Sequence, residues 1–271
     1  MNTTSYPPPV DKLLPYAPCD NIDIASHEQW PNYLALGFGP EHIPDLIRLA
    51  TDTTFGSSNS EDPAYCAPVH AWRVLGLLHA EAAIEPLITM TEDPEYGDIA
   101  SDELPEVYGL IGPAAIPYLT AFLADNSHKA SARIDAIACI DKIAEMHPDT
   151  KEECINIITH QLEQFAENDP EVNAFLILYL TELKVAQALP LIKQAFDADS
   201  VDEFIINWDF VQEKFGLKER TEVPQRGLHF GSALNEGSQP VPQRSHGTVQ
   251  KNGKAKNKMA KQSRKKNKKR R

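Results

Sequence analysis

His70, Trp72 and Arg73 fall within one helical turn, and Glu103 and Glu106 stand three residues apart, the spacing that puts two side chains on one helix face. An arginine beside a carboxylate makes a directional charged pair, and an indole beside them walls a groove. On neighbouring helices these five residues would hold a segment of a protein partner or a small ligand. The same residues have a purely structural reading, with Trp72 in the core and Arg73 in a salt bridge between adjacent helix pairs. Chemistry beyond binding finds no foothold. Gly37-Phe38-Gly39 lacks the third glycine of a dinucleotide loop and follows a helical pattern instead of a strand. His79-Ala80-Glu81 has the His-x-Glu of a zinc deaminase without the downstream Pro-Cys-x-x-Cys. Walker, HExxH and GxSxG sequences are absent. The expectation is a protein with no catalytic residue, no metal ligand, no cofactor and no enzymatic activity.

A second cluster is electrostatic. Residues 218–271 hold 16 Lys and Arg against 3 Asp and Glu, while the first 217 residues hold 10 basic and 36 acidic ones. Body and tail therefore carry opposite net charge, -26 against +13. Lys261, Arg264, Lys265, Lys266, Lys268, Lys269, Arg270 and Arg271 crowd the last stretch. Such density neutralises phosphates and releases counterions, which makes RNA or the ribosome a candidate partner. No aromatic residue interleaves residues 251–271, so bases cannot stack there and any nucleic-acid contact would be unspecific. The competing destinations for this tail are the acidic body and plain solvent.

The elements that position these residues follow from a repeat. A stripe of apolar residues opens at Ile43, Ile84, Ile116, Ile155 and Leu189, spaced by 41, 32, 39 and 34 residues. Three residues on stand Leu46, Leu87, Leu119, Ile158 and Ile192; seven on stand Ala50, Thr91, Leu123, Leu162 and Phe196. Positions i, i+3 and i+7 share one helix face, and periods in this range belong to two-helix repeats. Each stripe has an amphipathic partner before it: His27 to Leu36, Ala64 to Leu78, Asp102 to Ile111, Lys129 to Met146 and Pro170 to Leu183. The joints within pairs are short and carry breakers such as Gly112-Pro113, which forces antiparallel neighbours. Pro44, Pro86, Pro117 and Pro190 fall in the first turn of a second helix, where a missing N–H costs nothing. Sustained period-2 alternation is absent, so the body is expected to be all-α.

The segment Val201 to Leu217, with Phe204, Trp208, Val211 and Phe215, is expected to cap the open end of the array. Residues 1–20 form an N-terminal extended segment, 21–217 the helical body and 218–271 a disordered Lys/Arg-rich tail. The four cysteines show no ligand spacing and are expected to be reduced thiols. No apolar run approaches the length of a membrane span and no export signal opens the chain, which points to a soluble, cytoplasmic protein without membrane contact.

Three stretches carry a family resemblance: Pro68-Val69-His70-Ala71-Trp72-Arg73, Glu103-Leu104-Pro105-Glu106-Val107-Tyr108-Gly109 and Asn173-Ala174-Phe175-Leu176-Ile177. With the repeat pattern they make the chain resemble HEAT-like repeat proteins, of the kind that includes the phycobilin-lyase-type E/Z HEAT repeats, and an uncharacterised bacterial family of this architecture. The resemblance spans roughly residues 9–217 and implies an α-solenoid of about five antiparallel helix pairs. Some members of that family end in a Cys-rich zinc module, but no cysteine follows Cys154 here, so zinc is not implied. The functional expectation is a scaffold that binds a protein partner, favoured to carry a basic segment, along the groove of the solenoid. An RNA- or ribosome-associated factor anchored by the tail is the alternative. A bilin lyase or isomerase follows only from the resemblance.

Overall fold

The computed structural model describes residues 5–16, 26–57 and 62–219, and no strand occurs among them. The helices are α1 (Ile43–Ala50), α2 (Ala67–Leu77), α3 (Ile84–Ile88), α4 (Gly97–Ile111), α5 (Ile116–Ala124), α6 (Ala130–Met146), α7 (Lys151–Leu162), α8 (Pro170–Glu182), α9 (Leu189–Asp197) and α10 (Trp208–Lys214). Helices α2, α4, α6 and α8 each pack on the next, while α1, α3, α5 and α7 form a second, lighter series of neighbours. Between the series, α1 lies on α2, α5 on α6 and α7 on α8. The core runs along this contact. Leu46, Leu87, Leu119 and Ile192, each three residues into its stripe, are fully buried.

Every second helix is entered by a three-residue 3-10 turn: Pro40–His42, Glu81–Ala83, Pro113–Ala115, Pro148–Thr150 and Ala186–Ala188. Four of these turns end directly before the expected stripe openers Ile43, Ile84, Ile116 and Leu189. The fourth pair differs. Its turn ends at Thr150, so the equivalent of the other openers is Lys151, one turn before Ile155. Cys154 and Ile158 then take the buried positions, and the spacings become 41, 32, 35 and 38. The slip arose because Lys151 is charged and Ile155 is the first apolar β-branched residue after the turn; a stripe repeats with nearly the same phase one turn later.

The joints close by two devices. Gly112 has φ 91° and ψ -160°, a region reserved for glycine, and an added Cβ would stand 3.1 Å from His147 Nε2. His79 and Lys184 adopt left-handed φ values of 50° and 52°, and the amides of Ala80 and Val185 reach back to the carbonyls of Leu75 and Leu180. These are Schellman closures made without glycine.

The first expected helix, His27 to Leu36, is not one. Trp30 is extended ahead of Pro31, as the residue before a proline prefers, and the segment breaks into 3-10 turns at His27–Gln29 and Tyr33–Leu36. Helix α4 begins five residues before the expected Asp102, because the Asp93 carboxylate accepts the amides of Glu95 and Tyr96 and turns the chain into it. The expected cap is shorter than Val201 to Leu217. Asp202 and Asn207 capture the amides of Phe204 and Phe210, a turn forms between them, and only Trp208–Lys214 is helical. Phe204 stands fully exposed, whereas Trp208 packs edge-on against Phe196 at 5.8 Å.

The described part of the N-terminal segment, residues 5–16, packs on the helical body and includes a 3-10 turn at Val10–Leu13. Tyr6, Val10 and Leu13 are buried, Tyr6 donates to Asp52 at 2.7 Å, and Lys12 donates to the Leu36 carbonyl at 3.0 Å. This cover explains why Ala67 to Gly76 of α2 are buried on every side. Cys139 and Cys154 are free and buried, as expected, but Cys66 is disulfide-bonded, a state that persists in oxidising compartments. The remaining cysteine, Cys19, lies outside the described residues, as do residues 220–271 with the whole run from Lys261 to Arg271. No single described helix is long and apolar enough to cross a membrane; α4 and α5 reach that length only as a pair bent by 113°.

Candidate functional site

Three polar regions stand out among the described residues, two buried and one open. In the first, Arg73 on α2 meets Glu103 on α4 in a two-pronged pair: Nε donates to Oε2 at 2.8 Å and Nη2 to Oε1. Burial lowers the Arg73 pKa, but the Glu103 carboxylate outweighs it and raises the pKa above its ordinary value. Tyr33 bridges the pair to His70, with its hydroxyl 3.5 Å from Arg73 Nη1 and 2.7 Å from His70 Nδ1. The Arg73 guanidinium also lies over the Trp30 ring at 5.4 Å. Trp72 sits in the core, its indole donating to the Ala50 carbonyl at 2.7 Å.

Glu106 lies one turn beyond Glu103 but serves different neighbours. Its Oε1 accepts the His27 amide at 2.8 Å and contacts the His27 ring, while Oε2 faces Lys142 of α6 at 3.1 Å. Burial pushes this carboxyl up, yet the His27 contacts and the Lys142 ammonium together hold it below the usual carboxylate range. The structure thus brings His70, Arg73 and Glu103 together, with Trp72 one position away facing α1 and Glu106 turned toward α6. All five side chains are buried, and none lines the cleft between α5 and α7.

The second buried region, between α6, α7 and α8, contains none of the five candidate residues. Asn168 is its hub: Oδ1 accepts from Arg133 at 3.0 Å and from Gln161 at 2.8 Å, and Nδ2 donates to the Gln161 carbonyl and to Asn173 Oδ1. Arg133 Nε further donates to the Leu123 carbonyl at the end of α5, and Asn173 Nδ2 to the carbonyls of Phe165 and Ser200. Arg133, Asn173 and His70 are each the fourth residue of their helix. The available signal was a polar residue inside an otherwise apolar start, as in Ala130-Ser131-Ala132-Arg133-Ile134. A buried polar side chain there has to find partners, because leaving one unsatisfied costs about 1–3 kcal/mol.

The open region is a cleft of about 890 Å³ between α5 and α7. Pro117, Ala121 and Ala124 of α5 and Ile157 of α7 give it an apolar floor. Asp149, Glu152 and Glu153 stand at the end where α7 begins; Gln161 and Gln164 stand at the other. No lysine or arginine lines it. The acidic first turn suits the positive end of the α7 dipole, but no ion pair to these three carboxylates occurs among the described residues. Gln161 belongs to the cleft and to the Asn168 hub at once, so one wall is fixed from behind.

No described group of three or more His, Cys, Asp or Glu side chains has the arrangement of a metal site. Compared with models of known families, with curated proteins and with solved structures, the chain matches none.

Proposed function

We propose that this protein is a non-enzymatic scaffold: an α-solenoid of about five HEAT-like helix pairs that receives a protein partner along the side made by its second helices, α1, α3, α5, α7 and α9. The observation that carries this reading is the contrast in surface. Arg73, Glu103, Glu106 and Arg133 of the first helices are turned inward, while the second helices α5 and α7 enclose an open, apolar-floored valley. Stacked helix pairs create extended surfaces of this kind, and apolar clefts with a few polar groups are where partners bury area. A photo-crosslinking residue at exposed second-helix positions Glu85, Ala121, Asn156 and Gln194 tests it, with Ser131 and Glu145 of α6 as controls. Covalent adducts with a protein are expected from second-helix positions. A partner captured from α6 alone overturns the reading.

A second reading has its own observation, the 12 Lys and Arg without a single acid in residues 251–271. It is an RNA- or ribosome-associated factor held by that stretch. Deleting residues 251–271 then abolishes co-sedimentation with ribosomes, and unchanged sedimentation excludes it.

A further inference from the structure

We infer that the cleft between α5 and α7 is the docking site for a partner segment that carries two or three lysines or arginines at one end and a run of small apolar residues at the other. This rests on the scaffold reading and names the place and the partner chemistry within it.

Pro117, Ala121 and Ala124 recur at helical spacing along α5, and their short side chains leave the backbone of α5 open to close approach. The facing stripe, from Glu153 through Ile157 to Gln161 of α7 and on to Gln164 just past the helix end, covers 12 residues, or about 16 Å at about 1.5 Å per step. That length seats about five residues of extended chain or about three turns of helix. An apolar strip of these dimensions selects small apolar residues.

Charge then fixes direction. Asp149, Glu152 and Glu153 all stand at one end, and none has an ion-pair partner among the described residues. Some exposed acids elsewhere are matched, Asp45 by Arg48, Glu182 by Lys214 and Asp209 by Lys218, and others such as Glu28, Glu81 and Glu85 are not; what sets Asp149, Glu152 and Glu153 apart is that the three gather at one end of an apolar cleft. Three unmatched carboxylates beside an apolar strip complement cations placed at one end of an incoming segment. The opposite end has the Gln164 amide, the buried Gln161, whose amide nitrogen donates to Asn168, and the His160 ring, which is already engaged by Glu163 at 2.9 Å. A segment bound in reverse would lay its cations against groups with no negative charge to spare. The Asn168 hub contributes as well: with Gln161 held in place, less side-chain freedom is lost on binding.

The test uses the full-length protein and a fluorescein-labelled peptide, Lys-Lys-Arg-Ala-Ala-Leu-Leu-Ala-Ala-Leu, followed by fluorescence anisotropy. Companion peptides carry Gln or Glu in place of the three cations. The cationic peptide is expected to bind and the Glu peptide not to. The double substitution Glu152→Gln/Glu153→Gln weakens binding about 5-fold, and Ala121→Trp, which fills the floor from an exposed position, weakens it about 10-fold. Glu28→Gln/Glu81→Gln removes the same charge from exposed sites outside the cleft and changes affinity by less than about 2-fold. Circular dichroism confirms that each variant melts as the parent does. Equal losses from the two double substitutions would reduce the effect to general attraction by an acidic body and overturn the inference, as would absence of binding. Crosslinks to a partner from Glu85 or Gln194 would in that case leave the scaffold reading standing without this site.

Discussion

The Arg73–Glu103 pair and the Glu152–Glu153 rim are both charged, both carried by helices, and separated by only two helices, α5 and α6, along the chain, yet they answer opposite demands. Between α2 and α4 each charge is buried and matched, down to a tyrosine that joins the guanidinium to an imidazole. Between α5 and α7 the charges face outward and nothing in the described chain matches them. Desolvating a charge costs several kcal/mol unless a partner is waiting, so an inward charge has to be completed by the fold itself. A charge in water at a cleft edge carries no such requirement and is free to be completed by another molecule. Residue type alone does not distinguish the two cases; the number of helix faces that close over the side chain does.

The sharpest way to break this contrast is to strip the buried pair of one member. Arg73→Met leaves the Glu103 carboxylate desolvated and alone, and urea unfolding should show a loss of about 3–5 kcal/mol; adding Glu103→Leu should return much of it. Asn168→Ala comes next. It strands Arg133, Gln161 and Asn173 and should cost about 1–3 kcal/mol while also weakening the peptide described above, since Gln161 loses its support.

Asp135 is the exception that sharpens the rule, being buried without a cation. Burial pushes its carboxyl up to about 7, and Asp102 and Asp98 push the same way against the Ser101 hydroxyl, which donates to it at 2.9 Å. Because the folded form holds its proton to a higher pH than the unfolded chain, ionisation destabilises the fold increasingly between about pH 4 and about pH 7. Asp135→Asn should therefore raise the melting temperature at pH 8, by the equivalent of about 1–2 kcal/mol, with the advantage gone near pH 4. At the small end, Ala121→Trp should shift stability by less than about 0.5 kcal/mol, and Glu152→Gln/Glu153→Gln, which also takes two acids from the first turn of α7, by about 1 kcal/mol or less. Large stability loss from the cleft variants would put them in the same class as the buried pair.

Much of the helical body was legible because its signals are local. The turn-plus-stripe pattern around Gly112 and Ile116 depends on residues a few positions apart, and the joints fell where breakers predicted them. The one-turn slip at Lys151 has the same root, since a periodic signal is nearly blind to a shift by its own period. The first expected helix failed at Pro31, where local chemistry overruled an apolar stripe. For the five candidate residues the sequence offered two readings, and the structural one, with Trp72 in the core and Arg73 in a salt bridge to the next helix pair, is what the structure shows. Whether Arg73 and Glu103 face a groove or each other depends on how the N-terminal segment, with Tyr33 and Trp30, folds over α2 from about 40 residues away in sequence. The cleft was hidden, because Ala121 and Ile157 look like ordinary stripe residues until α5 and α7 are set side by side.

The three-residue turn that opens every second helix has a bearing on how this chain tolerates changes in length. One residue added within Pro113–Ala115 would rotate α5 by about 100° about its own axis and carry Leu119 out of the core, so indels there should be lethal to folding. The connections between successive pairs differ in length, from the five residues after α5 and the seven after α7 to the eight after α3 and the sixteen after α1. A tag or a whole domain inserted between Asn126 and Ser127 meets no such constraint. Insertions and deletions among related chains should therefore gather at every second connection, leaving the intra-pair joints at constant length.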